Sequence, residues 1–128
     1  MIYLAPEDML LIHAEAVGCS EAEAGRRLLS LARLEGALAR PMWYARFVDP
    51  DVPYLAAVLA HGLAEGQAFI DGNKRTAFLA MAVFLDRNGY ELQGDDAALT
   101  RWIIALSAGG SIDELAERLS GVVARIGG

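Results

Sequence analysis

The sequence predicts an all-α protein, a compact single-domain helical bundle packed around a buried central helix, with at most a short hairpin. Three observations predict it. Twenty-three alanines and 18 leucines among 128 residues weight the chain toward good helix formers. A hydrophobic fraction of 55% supplies enough apolar surface for one core and excludes a disordered chain. The stretch Ala77-Phe78-Leu79-Ala80-Met81-Ala82-Val83-Phe84-Leu85 is apolar on every helical face, the mark of a helix enclosed by others and too short to be a membrane span. The length suits one domain over residues 1–128.

The elements follow from local chemistry. Pro6 suits a first helical position, and Glu7 and Asp8 suit the positive end of a helix dipole, so a first helix runs to about Val17 with Gly18 as its left-handed stop. Ser20 with Glu23 forms a capping box, which starts a second helix near Glu21 that runs to Ala39 unless Gly25 or Gly36, which weaken it, split it. Pro41 is expected to end it. Residues 41–53 hold Trp43, Tyr44 and Phe47 between prolines and are expected to form a loop or a short extended hairpin. A third helix spans about Tyr54 to Glu65, stopped by Gly66. A long helix from about Asn73 to Asn88 follows, stopped by Gly89. Tyr90 to Gln93 form a short strand or a connector; Asp95 caps a helix to about Ala108, and Ser111 with Glu114 caps the last.

Charge and cysteine content exclude several function classes. The net charge is −6, a poor footprint for coating DNA or an anionic membrane. The single cysteine, Cys19, has no partner for a disulfide, and no Cys/His cluster has zinc spacing. The N-terminal stretch is apolar but carries Glu7 and Asp8 where a signal peptide needs basic residues, so a cytoplasmic location is expected.

One segment carries chemistry: Gln67-Ala68-Phe69-Ile70-Asp71-Gly72-Asn73-Lys74-Arg75-Thr76, which opens the apolar helix. A helix N-terminus offers unpaired N–H groups and about half a positive charge to an anion. Gly72 permits the tight turn that converges those groups, and Asp71 suits a hard cation such as Mg²⁺ riding on phosphate oxygens. Lys74 and Arg75 sit where the dipole disfavours cations by a few tenths of a kcal/mol each, and an anionic ligand reverses that sign. Lys74 is also the one lysine of the chain, against ten arginines. The structural alternative pairs these cations with Asp71, Asp86 or Glu65. The spacing is not that of a P-loop. His13 and His61 read as helix-packing or surface residues, and the arginines at 26, 27, 33, 40 and 46 as helix-surface charges or the lining of a partner groove.

Phe69-Ile70-Asp71-Gly72-Asn73-Lys74-Arg75 resembles the H-x-F-x-[D/E]-[G/A]-N-K-R motif of the Doc branch of the Fic/Doc family. Ile12-His13-Ala14-Glu15, the stretch Leu34 to Pro41, and Thr76-Ala77 with Phe84-Leu85 and Asn88-Gly89-Tyr90 are similar to further segments of it, so the likeness spans nearly the whole chain. The resemblance implies a helical toxin of a toxin–antitoxin pair that uses ATP and Mg²⁺ to phosphorylate a threonine of elongation factor Tu. It also implies neutralisation by a Phd-like antitoxin helix. On that reading Gln67, Asp71, Lys74 and Arg75 are the catalytic set, Gly72, Asn73, Lys74 and Arg75 hold the nucleotide, and Asp71 holds the metal. The AMP-transferring relatives carry G-N-G-R-x-x-R; Lys74 and Phe78 depart from that pattern and favour phosphoryl transfer. The first motif position departs too, since Gln67 stands where the family has the histidine base. Glutamine can hold a hydroxyl but cannot take its proton. An engineered replacement and a natural, degenerate or altered enzyme both fit that residue, and a catalytically inactive antitoxin-binding module is the alternative from another class.

Overall fold

The computed structural model describes residues 1–93, 97, 101 and 109–127. Its architecture is the predicted all-α one: six helices among the described residues and one two-stranded sheet. The order is α1 (Pro6–Val17), α2 (Glu21–Arg27), α3 (Leu31–Phe47), α4 (Val52–Gly66), α5 (Asn73–Arg87), β1 (Tyr90–Leu92), α6 (Ile112–Ser120) and β2 (Val123–Arg125). The helix expected from Asp95 to about Ala108 lies outside the described residues, Ala97 and Arg101 apart.

Helix α1 begins and ends where its sequence dictates. Asp8 Oδ2 accepts the Ala5 N–H at 2.8 Å, and Gly18 closes the last turn at φ 74° with its N–H on the Ala14 carbonyl. Ser20 caps α2 by accepting the Glu23 N–H at 3.1 Å.

The second expected helix is in fact two. Neither Gly25 nor Gly36 breaks it; the chain leaves the helix at Leu28, in extended geometry, and Ser30 caps α3 by accepting the Arg33 N–H. The cause is long-range. Leu28 forms an antiparallel bridge with Phe69, the Leu29 N–H donates to the Ala68 carbonyl at 2.7 Å, and the Ile70 N–H donates to the Arg27 carbonyl at 2.8 Å. Backbone groups that a continuing helix would use are paired with a distant loop instead.

Pro41 does not end a helix, and residues 41–47 are not a loop or hairpin. Pro41 lies inside α3, buried in a stripe with Leu34, Ala37 and Leu38. Those positions recur at the spacing of one helix face, so the proline ring replaces its missing N–H bond with apolar burial. Trp43, Tyr44 and Phe47 occupy the last turns of α3, with ring centroids 5.4 Å (Trp43–Tyr44) and 5.2 Å (Trp43–Phe47) apart. The true connection is 48–51, after which Asp51 Oδ1 caps α4 by accepting the Tyr54 N–H at 3.0 Å.

Two helices share the centre. In α5, Thr76, Ala77, Ala80, Met81, Phe84 and Leu85 are buried and the residues between them are half-buried. Helix α4 is more enclosed, with ten buried residues, half of them alanine or glycine. Small side chains let helices approach: a Cβ on Gly62 would meet Ala37 Cβ at 3.5 Å, so α3 and α4 are nearly in backbone contact there. Helix α6, capped by Ser111 at the Glu114 N–H, lays Leu115, Ala116 and Leu119 on the core. Tyr90 to Leu92 prove to be a strand, antiparallel to β2 with Tyr90 opposite Arg125.

Candidate active site

The polar segment between α4 and α5 is shaped by four local devices. Gln67 ends α4 in left-handed geometry at φ 48°, a conformation that costs a residue with a Cβ roughly 1–2 kcal/mol. Ala68 and Ile70 are tied by the backbone bonds to the 27–30 connector. The Asn73 side chain then staples the turn, Oδ1 accepting the Phe69 N–H at 3.0 Å and Nδ2 donating to the Phe69 carbonyl at 2.9 Å. Gly72 starts α5 at φ 68°, and a Cβ there would run into the Val17 side chain, so glycine is required twice over.

Under the turn lies His13 of α1, fully buried. Its ring stacks on Phe69 at 3.9 Å and 5°, and Nδ1 shares a 2.8 Å hydrogen bond with Thr76 Oγ1. Burial pushes its pKa below the usual 6.5, an effect the nearby Asp71 carboxylate opposes and Arg27 reinforces. His61 is a separate matter: it is partly buried on α4, with Nε2 3.3 Å from Glu65 Oε1.

Above the turn is a cavity of about 590 Å³. Gln67, Gly72, Asn73, Lys74 and Arg75 line it, so five of the six expected site residues share one wall; Arg33 of α3 lines it as well. Asp71 is not in that lining. Its side chain is 64% exposed and lies 3.7 Å from the Arg27 guanidinium. The Asn73 amide is engaged on Phe69, so whatever Asn73 offers the cavity comes mainly from its backbone. No ion pair joins Lys74 or Arg75 to Asp71, Asp86 or Glu65 among the described residues.

The electrostatics suit an anion. Three cations, Arg33, Lys74 and Arg75, border the cavity with no acidic partner among the described residues, and no side chain caps α5. Helix N–H groups plus a guanidinium and an ammonium fit a polyphosphate. A metal finds less: no group of three or more His, Cys, Asp or Glu residues could hold one among the described residues, so Asp71 would be a single protein ligand. That suits Mg²⁺ held mainly by phosphate oxygens and water.

Sequence reading placed Phe69 and Thr76 in this segment without giving them a role, took His13 for a packing or surface residue, and took Arg33 for a surface charge or the lining of a partner groove. His13 and Thr76 are 63 positions apart, and no local pattern announces their meeting. Trp43 and Phe47 are 55% and 63% exposed at the end of α3 rather than in the loop or hairpin expected there.

Comparison with known proteins bears on this geometry. The Fic/DOC family profile matches residues 3–85. Toxin Doc of Mycolicibacterium smegmatis (strain ATCC 700084 / mc(2)155) is 37% identical over 95 residues, which cover 73% of this chain and 69% of that protein.

Proposed function

The chain belongs to the Fic/Doc family, and on that premise we propose that it is a Doc-type toxin with a phosphotransferase fold, acting in the cytoplasm on a threonine of elongation factor Tu. ATP is the phosphoryl donor in this reading, and a Phd-like antitoxin helix is the neutralising partner. The observation that supports it best is the cavity whose rim carries Arg33, Lys74 and Arg75 in a chain of net charge −6.

In the reaction the threonine hydroxyl oxygen bonds to the γ-phosphorus while the bond from that phosphorus to the β–γ bridging oxygen breaks, ADP leaves, and the hydroxyl proton passes to a phosphate oxygen or to water. Arg75 offers a planar two-pronged contact to phosphate oxygens, and Lys74 offers a point charge. The α5 N–H groups take the charge that develops on the transferred group. Gln67 donates to or accepts from the threonine hydroxyl and so orients it, but its amide cannot remove the proton. Mg²⁺ would supply charge neutralisation to the phosphates when bound, and Asp71, beside the cavity rather than in its lining, is the acidic residue of this segment that would hold it. Phosphoryl transfer rests chiefly on positioning and electrostatics, so the Gln67 protein keeps most of the machinery and lacks a side-chain base.

Gln67→His should raise transfer by about 10²–10⁴-fold. The assay is incorporation into elongation factor Tu from ATP labelled at the γ-phosphate, run beside ATP labelled at the α-phosphate. Label from the α position alone would make the protein an AMP transferase, and no label from either would sink the enzymatic reading. A second reading is favoured by Gln67 itself: a module that binds the antitoxin without catalysis. Growth arrest on expressing the unaltered chain contradicts it.

A further inference from the structure

We infer that His13 is a positioning residue for the phosphate-binding turn, acting from behind it and never touching a ligand. The inference rests on the proposed use of that turn, but its geometry stands without it. His13 is not among the residues that line the cavity, so it is no substitute for the missing base at position 67. It lies on the opposite side of residues 69–76 and contacts both ends of that stretch. The ring covers Phe69 face to face, and Nδ1 is bonded to Thr76, the fourth residue of α5. Between these two anchors, a Cβ on Gly72 would lie 3.5 Å from His13 Cε1, so the ring also underlies the turn itself.

Packing alone does not account for a histidine here. Nε2 is buried with no hydrogen-bond partner among the described residues, and leaving a polar group unpaired in a core costs stability. An apolar ring of similar size would avoid that cost. What only the histidine supplies is the pair of contacts at once: a flat face for Phe69 and a directed bond to Thr76. The bond fixes ring rotation, and the fixed ring plane sets Phe69 relative to the first turn of α5. Phe69 carries the backbone groups that Asn73 staples. His13 thereby sets the spacing between the Gln67 end and the Lys74–Arg75 end of the cavity wall.

Two variants separate the parts. His13→Phe keeps the stacked face and removes the orphaned nitrogen, while Thr76→Val removes the bond from the other side. Amide hydrogen exchange reads the turn with no ligand present, through the Phe69 and Ile70 N–H groups. We expect exchange there to accelerate from a few-fold to about tenfold in both variants, the worth of one hydrogen bond, with α4 amides such as those of Leu55 and Leu59 unchanged. Binding of Mg²⁺-ATP, read by calorimetry, should weaken in parallel. Unchanged exchange at Phe69 and Ile70 in both variants overturns the inference, and so does equal acceleration at Leu55 and Leu59, which makes the role merely structural. If the unaltered chain binds no ATP, the nucleotide reading fails while the exchange result still decides the role of His13.

Discussion

Helices α4 and α5 follow one another, share the core, and begin in opposite ways. At the start of α4, Asp51 accepts the Tyr54 N–H, Pro53 occupies the first turn, and no cation intrudes. At the start of α5 a glycine in left-handed geometry replaces the capping side chain, and Lys74 and Arg75 fill the first turn. The rule kept at α4 is kept again by Ser20, Ser30 and Ser111. Helix α1 also starts without a capping side chain, but Glu7 and Asp8 fill its first turn, so among the described helices only α5 joins an uncapped start to cations. A helix start built only for stability closes its own N–H groups; one that leaves them open beside cations is arranged for something else.

The contrast can be broken first at Gly72. Gly72→Ala should destabilise by about 2–4 kcal/mol, combining left-handed strain with a clash on Val17. Gly18→Ala is the control, since φ is 74° there but nothing lies within 4 Å, so only about 1–2 kcal/mol should be lost. Equal losses in thermal melts would mean that the close approach to Val17 carries no weight.

Acid should act next, through His13. Burial holds its folded pKa below 6.5, so the unfolded chain binds the extra proton in the interval between the two values. The stability that the neutral ring contributes is complete above 6.5 and is lost as pH falls toward the folded value. The slope is at most about 1.4 kcal/mol per pH unit. His13→Phe should flatten this limb of a pH series of denaturant titrations; an unaltered slope would assign the acid sensitivity to other groups.

Asp51→Ala should cost about 1 kcal/mol, the ordinary worth of a helix cap, measured by denaturant midpoint. The smallest effect belongs to the exception. Without nucleotide, Arg75→Ala should be neutral or stabilising by a few tenths of a kcal/mol, because it removes a cation from a positive helix end. The same variant should lose most of the melting-temperature rise that Mg²⁺-ATP gives the unaltered chain. A rise that survives undiminished would remove Arg75 from the site.

Legibility in the sequence followed the range of the forces. The caps at Ser20 and Ser111 and the stop at Gly18 depend on residues three or four positions apart, and all three read correctly. The break at 28–30 did not, because it is imposed by Ala68 and Ile70 across the fold, and Ser30 has Arg33 rather than an acidic residue three positions on. Pro41 misled for the same reason: the local rule says stop, and burial against α4 overrides it. The cluster from Gln67 to Arg75 was readable since its members are neighbours in the chain. The third cation at Arg33 and the ring of His13 beneath the turn come from helices that only tertiary packing brings there.

The far end of α5 has a different consequence. Asn88 accepts the Ile2 N–H at 2.7 Å and donates to the Ile2 carbonyl at 2.9 Å, while the Gly89 carbonyl accepts the Ile126 N–H at 2.9 Å. Residues near both extremities of the described chain are thus clasped at one corner, on two adjacent residues. Opening of that corner releases backbone from both segments at once, so the stretches around Ile2 and Ile126 lose their protection as one unit rather than separately.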